Sequence, residues 1–244
     1  MLRAITFDYW NTLFVDVNGR AREQRRVAVL RAELAALELD PPQAAVDEAL
    51  RAGFDFFDRV WIREHRTPSC GELVDSILAV LGARVPEDAR ERLVSRFELL
   101  VLDLPPEPVP SAVYTLPLLA ERYRLAVVCD TGYSPGSVLR ELLERNGMLA
   151  YFEYLYFSNE HGMSKPDVRV FQHTLAALDV RAPEAAHVGD IQRTDIAGAQ
   201  AAGMAAVHFI GANNHDAGRS TADLIVRHFD ELPAALGGLT CAGC

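Results

Sequence analysis

The stretch Ala4-Ile5-Thr6-Phe7-Asp8-Tyr9-Trp10-Asn11-Thr12-Leu13 decides how this chain is read. Residues 2–7 form a short apolar run that ends at Asp8. Such a run reads as a buried strand with a polar turn at its carboxyl end. Working outward, the next strand-like runs are 125–129, 155–157, 186–188, 205–209 and 224–226. Helical spacing separates them, over 113–122, 138–146, 168–178 and 196–202. Gly147 and Gly203 stand where helix C-caps are expected. Strands alternating with helices imply an α/β fold with a mostly parallel sheet covered on both faces.

Between residues 17 and 104 the pattern changes. Val27, Leu30, Leu34 and Leu37 recur at helical spacing, as do Ala45, Ala49, Phe54, Phe57 and Val60. Two more helical stretches follow, over 73–81 and 89–101. Pro41-Pro42, Thr67-Pro68 and Pro86 punctuate them, and no strand pattern interrupts them. Pro105-Pro106-Glu107-Pro108 reads as a stiff linker back to the α/β part.

In open parallel sheets the reactive groups gather at the carboxyl ends of the strands. Four post-strand segments therefore matter: Asp8-Tyr9-Trp10-Asn11-Thr12-Leu13, Cys129-Asp130-Thr131-Gly132, Ser164-Lys165-Pro166, and Gly189-Asp190-Ile191-Gln192-Arg193-Thr194-Asp195. Clustered carboxylates repel one another and call for a cation; hard oxygen ligands suit Mg²⁺. A carboxylate beside a metal and a fixed ammonium is a sensible nucleophile towards phosphorus. Lys165 is the only lysine in a chain whose lysines and arginines together number 24. An ammonium at this one position points to a role that a forked guanidinium does not fill.

With these four segments in order, the chain resembles the haloacid dehalogenase-like (HAD) hydrolase superfamily. Asp-x-x-x-Thr, the strand ending at Cys129 to Thr131, Ser-Lys-Pro and Val-Gly-Asp-(x)4-Asp carry the resemblance, which spans residue 4 to about 230. It implies a Rossmann-like parallel-sheet core, residues 1–16 and 105–236, with a helical-bundle cap at 17–104 and a flexible tail at 237–244. It further implies a phosphatase acting on a small phosphorylated metabolite through an aspartyl-phosphate at Asp8. Lys165 would fix Asp8 and the phosphoryl group. Thr12, Asp130, Thr131 and Gly132 would bind substrate. Mg²⁺ would be held by Asp8, the main-chain carbonyl of Trp10, and Asp190, with Asp195 behind them or as an added ligand.

Two positions depart from the family pattern. Phosphatases of this family carry a second aspartate two residues after the nucleophile, as general acid and base. Here Trp10 stands there, and its indole N–H only donates. Slow turnover, a preference for good leaving groups, or an acid borrowed from elsewhere follows; Glu160 and His161 are the nearest candidates in sequence. Cys129 replaces the usual Ser or Thr, and a buried apolar role suits it equally. Two alternatives stay open: a 2-haloacid dehalogenase, whose halide leaves unprotonated, and a catalytically weak protein that binds Mg²⁺ and a phosphometabolite. Asp195 by itself also fits a helix cap. Phe54, Phe56, Phe57 and Trp61 fit either a pocket lining or helix packing. Arg20, Arg22, Arg25 and Arg26 fit an anion contact or, better, a solvated helix face.

Composition narrows the classes. Of 244 residues, 50% are hydrophobic and the net charge is −10, so the chain folds but offers no basic surface for nucleic acid or anionic membrane. No stretch has the roughly 20 apolar residues of a membrane span. With no signal pattern at the start, a cytoplasmic location is expected, and Cys70, Cys129, Cys241 and Cys244 are expected to be reduced. The Cys241-Ala-Gly-Cys244 spacing is read as a frayed tail rather than a metal or redox site.

Overall fold

The computed structural model of the chain describes residues 1–239; Cys241 and Cys244 lie outside them. Strand β1 (Ala4–Phe7) passes through a tight loop to β2 (Phe14–Val15). Helices α1 (Gly19–Ala35), α2 (Gln43–Glu64), α3 (Cys70–Leu81) and α4 (Glu87–Asp103) follow. The chain then returns through β3 (Glu107–Pro108) and α5 (Ala112–Ala120) to β4 (Arg124–Cys129). After α6 (Gly136–Arg145) come β5 (Tyr154–Phe157), α7 (Ser158–His161) and α8 (Val168–Ala177). The remainder is β6 (Ala185–Gly189), α9 (Ala197–Ala201), β7 (Ala205–Phe209), β8 (Leu224–Val226) and α10 (Leu232–Gly237).

The main sheet has the order β5-β4-β1-β6-β7-β8, and every pair in it is parallel. Phe7 stands opposite Val127 on one side and Val188 on the other. The chain leaves β1 for one flank and later returns to the other, so the strand order reverses at β1. Asp8 is therefore delivered to the crevice where α/β sheets bind ligands.

Side chains alternate across the sheet. Ile5, Phe7, Leu125, Val127 and Val188 pack on one face with Leu116, Leu119, Leu139 and Leu142. Ala4, Ala126, Val128 and Ala206 pack on the other with Val170, Phe171 and Ile196. Both faces are dry, which is why the strands read as apolar runs rather than alternating ones. A third cluster joins the four helices of residues 19–103 through Leu30, Leu34, Leu50, Leu73, Ile77, Leu93 and Phe97. One side chain from the sheet side enters it, Tyr133, which follows β4. Helix α3 begins at a capping box, Ser69 with Glu72, and ends at Gly82 with φ +62°.

Two local expectations are corrected. Residues 105–108 are not merely a spacer: β3 pairs antiparallel with β2, Phe14 opposite Pro108. Proline tolerates this because the ribbon has only two strands, so every strand is an edge. The helix expected over 196–202 is preceded by a π turn, Gln192–Ile196. Asp195 sits inside that turn, accepting from the Ile191 amide at 2.9 Å, so it does not cap the helix that follows. Among the described residues no helix is long and apolar enough to cross a membrane.

Candidate active site

A pocket of about 390 Å³ opens at the carboxyl edge of the sheet. Asp8, Trp10, Asp130, Gly132, Lys165, Asp190 and Asp195 line it, together with Asp16, Phe54, Phe57 and Trp61. Four segments far apart in sequence thus meet at one place. Each is positioned by a short element. Asp8 follows β1, and its amide donates to Val188 O at 2.8 Å. Asp130 follows β4, and Lys165 lies in the loop between α7 and α8. Asp190 follows β6, and its carbonyl accepts from His208 Nε2 on β7 at 3.0 Å.

Lys165 is the electrostatic centre. Its side chain is 2% exposed, and its Nζ donates to Asp8 Oδ1 and, at 2.6 Å, to Asp195 Oδ1. Its amide donates to Asp130 Oδ1 at 3.0 Å. Asp195 is held on all sides. His187 Nε2 donates to Oδ1 at 3.2 Å, while His187 Nδ1 accepts from Thr6 Oγ1 at 2.8 Å. These two partners fix the His187 tautomer. Gly189 makes the arrangement possible: a Cβ there would lie 2.4 Å from the Asp195 side chain. Only glycine lets the π turn close so tightly onto β6.

The carboxylates are not equivalent. Asp195 has both oxygens engaged, Oδ1 by Lys165 and His187 and Oδ2 by the Ile191 amide. Asp8 engages only Oδ1, and Asp190 engages only Oδ2, which accepts from Asn213 Nδ2 at 2.8 Å. Among the described residues the second oxygens of Asp8 and Asp190 accept no hydrogen bond, so they are open to a ligand. Burial pushes the Asp8 carboxyl up, against the pull of Lys165, and the charges of Asp195 and Asp190 add to the rise. Burial and then Asp195 push Asp190 up to about 7. For Asp195 burial acts upwards too, but Lys165 and His187 outweigh it and hold the carboxyl well below its usual range. Burial would lower Lys165; Asp195, Asp8 and Asp130 reverse that and hold the ammonium firmly protonated.

Among the described residues five carboxylates line the pocket; Asp16 is paired with Arg22, which leaves four around one ammonium. Asp8, Asp190 and Asp195 each offer an oxygen within 4.8 Å of the others. An assembly so short of positive charge fits a divalent cation bound through oxygen. The donors with open oxygens, Asp8 and Asp190, are the natural ligands.

The other expected residues fall elsewhere. Thr12 is fully buried, outside the pocket lining, and among the described residues its Oγ1 has no hydrogen-bond partner. Thr131 also lies outside the lining. Its amide donates to Ser158 Oγ at 2.8 Å and its hydroxyl lies 3.1 Å from the same atom, so the side chain is absorbed into the wall. Cys129 is fully buried among apolar neighbours, as in the apolar reading, and burial raises its thiol. Glu160 pairs with Arg140, and His161 stacks on Tyr156 at 4.3 Å; neither lines the pocket. Of the aromatics of α2, Phe54, Phe57 and Trp61 line the pocket, whereas Phe56 packs with the helices. Arg22 and Arg26 are buried rather than solvated, because Arg22 bonds to Asp16 and Leu104 O and Arg26 lies over Tyr133.

Some pocket features had no signal in sequence. Trp61 Nε1 donates to Asp130 Oδ2 at 2.9 Å, and the Arg193 guanidinium lies 4.4 Å over the indole. Asp16 reaches the pocket from the end of the short ribbon. Asn11 lines it with a left-handed φ of 55°. Each contact joins segments that only the folded chain brings together.

A parallel α/β sheet with an acidic, lysine-bearing crevice at its reversal point defines the class. The family model of haloacid dehalogenase-like hydrolases matches residues 2–203, and the chain belongs to that family. It is 37% identical over 133 residues to ribulose-1,5-bisphosphate 5-phosphatase of Halopiger xanaduensis, covering 54% of this chain and 55% of that protein. The chain thus spans about half the length of that relative. It is 29% identical over 212 residues to glyceraldehyde 3-phosphate phosphatase of Methanothermobacter thermautotrophicus, covering 85% of each. Among solved structures it resembles a 2-haloacid dehalogenase from Pseudomonas syringae pv. tomato DC3000. There the TM-score is 0.74 at 24% identity, over 97% of this chain and 99% of that one, a likeness of fold.

Proposed function

We propose that the chain is a Mg²⁺-dependent phosphatase for a small phosphorylated metabolite, with residues 1–16 and 105–236 as its catalytic core and 17–104 as its cap. The observation that carries the reading is the open second oxygen of Asp8, beside the Lys165 ammonium and the open oxygen of Asp190. The phosphatase names of two relatives support it.

In this reading Lys165 holds Asp8 by one oxygen and turns the other towards phosphorus. Asp8 forms a bond to phosphorus as the bond to the leaving oxygen breaks; water then attacks the aspartyl-phosphate, releasing phosphate and restoring the carboxylate. Lys165 offsets the charge that develops on the phosphoryl oxygens. Asp195, with its oxygens occupied, orients Lys165 and stands behind the ligands. Asp8, the Trp10 carbonyl and Asp190 would hold Mg²⁺, which when bound supplies charge neutralisation for the phosphoryl group. Trp61 and the Lys165 amide hold Asp130, which closes one wall, with Gly132 beside it. Trp10 gives an apolar surface where the family's acid would stand. The preferred substrates are therefore esters whose leaving group departs unprotonated.

Release of phosphate from p-nitrophenyl phosphate with and without Mg²⁺ tests this. Activity is expected with Mg²⁺, abolished by EDTA and reduced at least about 1,000-fold in Asp8→Asn. An Asp8→Asn protein as active as wild type ends the proposal. The dehalogenase alternative is disfavoured because the acidic lining repels a haloacid carboxylate; halide release from 2-chloropropionate in EDTA would revive it. A pure binding role survives only if no phosphate ester is turned over.

A further inference from the structure

Thr6 on β1 and His187 on β6 stand abreast as registered partners, and both are fully buried. Each follows by two positions an alanine, Ala4 or Ala185, of the sheet face that also carries Ala126, Val128 and Phe171. Polar side chains inside that layer call for a reason, because an apolar pair would pack there with no hydrogen bonds to satisfy. The reason lies in what the pair reaches. His187 Nε2 lies 3.2 Å from Asp195 Oδ1. An ionised carboxylate only accepts, so Nε2 carries the ring proton. Nδ1 is then the acceptor, and Thr6 Oγ1 donates to it at 2.8 Å. Burial keeps the imidazole neutral, against the pull of Asp195. Phe171 stands edge-on to the ring at 5.1 Å and holds its plane.

The same Asp195 Oδ1 takes the Lys165 ammonium at 2.6 Å, and that ammonium also holds Asp8. A line of hydrogen bonds thus runs from Thr6 through His187, Asp195 and Lys165 to Asp8. It leaves β1 at Thr6 and rejoins the chain two residues further on. No member is more than 7% exposed, so water does not compete for these bonds. Asp195 and Asp8 share one cation. With no other donor, Asp195 Oδ1 would draw the ammonium to itself at the expense of Asp8. The ring N–H divides the charge of that oxygen and restores the balance. We infer that His187, set by Thr6, is a positioning residue of the site: its bond to Asp195 holds Lys165 where it engages one oxygen of Asp8 and leaves the other open. The expected effect on rate rests on the phosphatase reading; the effect on Lys165 does not.

Lys165 is the only lysine, so protein carrying isotope-labelled lysine gives a single ammonium signal in heteronuclear NMR. With Mg²⁺ near neutral pH, the wild-type signal is expected to be sharp and slow to exchange with water. His187→Gln sets an amide nitrogen where Nε2 stands, whereas His187→Asn sets one where Nδ1 stands. The Gln variant should keep the signal, with kcat on p-nitrophenyl phosphate within about threefold of wild type. The Asn variant should shift or lose the signal and lower kcat about 30-fold, with KM within about twofold. Thr6→Val keeps the ring without its donor and should fall between the two. Equal behaviour of the Gln and Asn variants overturns the inference, and so does a fall in kcat with the Lys165 signal unmoved. Should the Asn variant not fold, an unmoved signal in Thr6→Val overturns it instead. A wild type that turns over no phosphate ester breaks the catalytic reading, and the Lys165 signals of the variants then decide the positioning role by themselves.

Discussion

The sheet edge and the helical segment of residues 19–103 face one pocket but are built by different rules. At the edge, backbone geometry does the work. β1, β4 and β6 set Asp8, Asp130 and Asp190 within reach of Lys165, and Gly189 admits Asp195 where no Cβ would fit. Across the pocket, long side chains do it: Trp61 spans to Asp130, Arg193 covers Trp61, and Tyr133 plugs the helices from below. Chemistry fixed by backbone tolerates little change; a wall made of side chains can be rebuilt. In the reading proposed above, the first region would set what reaction is possible and the second what enters.

The largest test of this contrast is Lys165→Met. It strands Asp8 and Asp195 without their shared cation, so we expect phosphatase activity to fall about 1,000-fold and stability by about 3–5 kcal/mol. Urea unfolding beside a rate assay checks both; a stable, active variant would put the centre of the site elsewhere. Next in size is Trp10→Asp, which puts a proton-transfer group at a position the backbone already brings to the pocket. Turnover of an alkyl phosphate should rise about 100-fold, and that of p-nitrophenyl phosphate much less. Equal gains on both would mean that leaving-group protonation is not what Trp10 withholds.

How far these regions could be read in advance follows the same divide. Strands buried on both faces announce themselves as apolar runs, and the residues that follow them fall at the edge by topology, so Asp8, Asp130, Lys165 and Asp190 were legible. Thr131 lies off the pocket lining because its hydroxyl turns to Ser158, a partner 27 residues away. Asp16 carries no local mark at all, and the bond from Trp61 to Asp130 is invisible in sequence although the aromatic itself stands out as a pocket candidate. The ribbon of β2 and β3 was hidden by its prolines, which suggest a spacer, and the π turn at Asp195 looks like an ordinary helix start in sequence. Burial of Arg22 and Arg26 reverses what their charge suggests, because their partners come from the ribbon loop, the 104 carbonyl and Tyr133.

Smaller effects sharpen the division. Trp61→Phe removes one hydrogen bond to Asp130 and keeps most of the ring, so KM should rise roughly fivefold with kcat little changed. A fall in kcat instead would mean that the side-chain wall takes part in the chemistry. Smallest is His161→Ala. Its ring lies against Tyr156, Tyr154 and His173 outside the pocket, and turnover should stay within about twofold of wild type. A larger loss would return it to the list of acids serving the site.

The solitary lysine has a practical consequence. Every other cationic side chain of this protein is an arginine or a histidine, and Lys165 is sealed and firmly protonated at the heart of the crevice. Acylating reagents therefore find a single ε-amino group in the chain, and they reach it only if the crevice opens. Mass added at position 165, readable by peptide mapping, would time any such opening, and a tightly held anion should slow it.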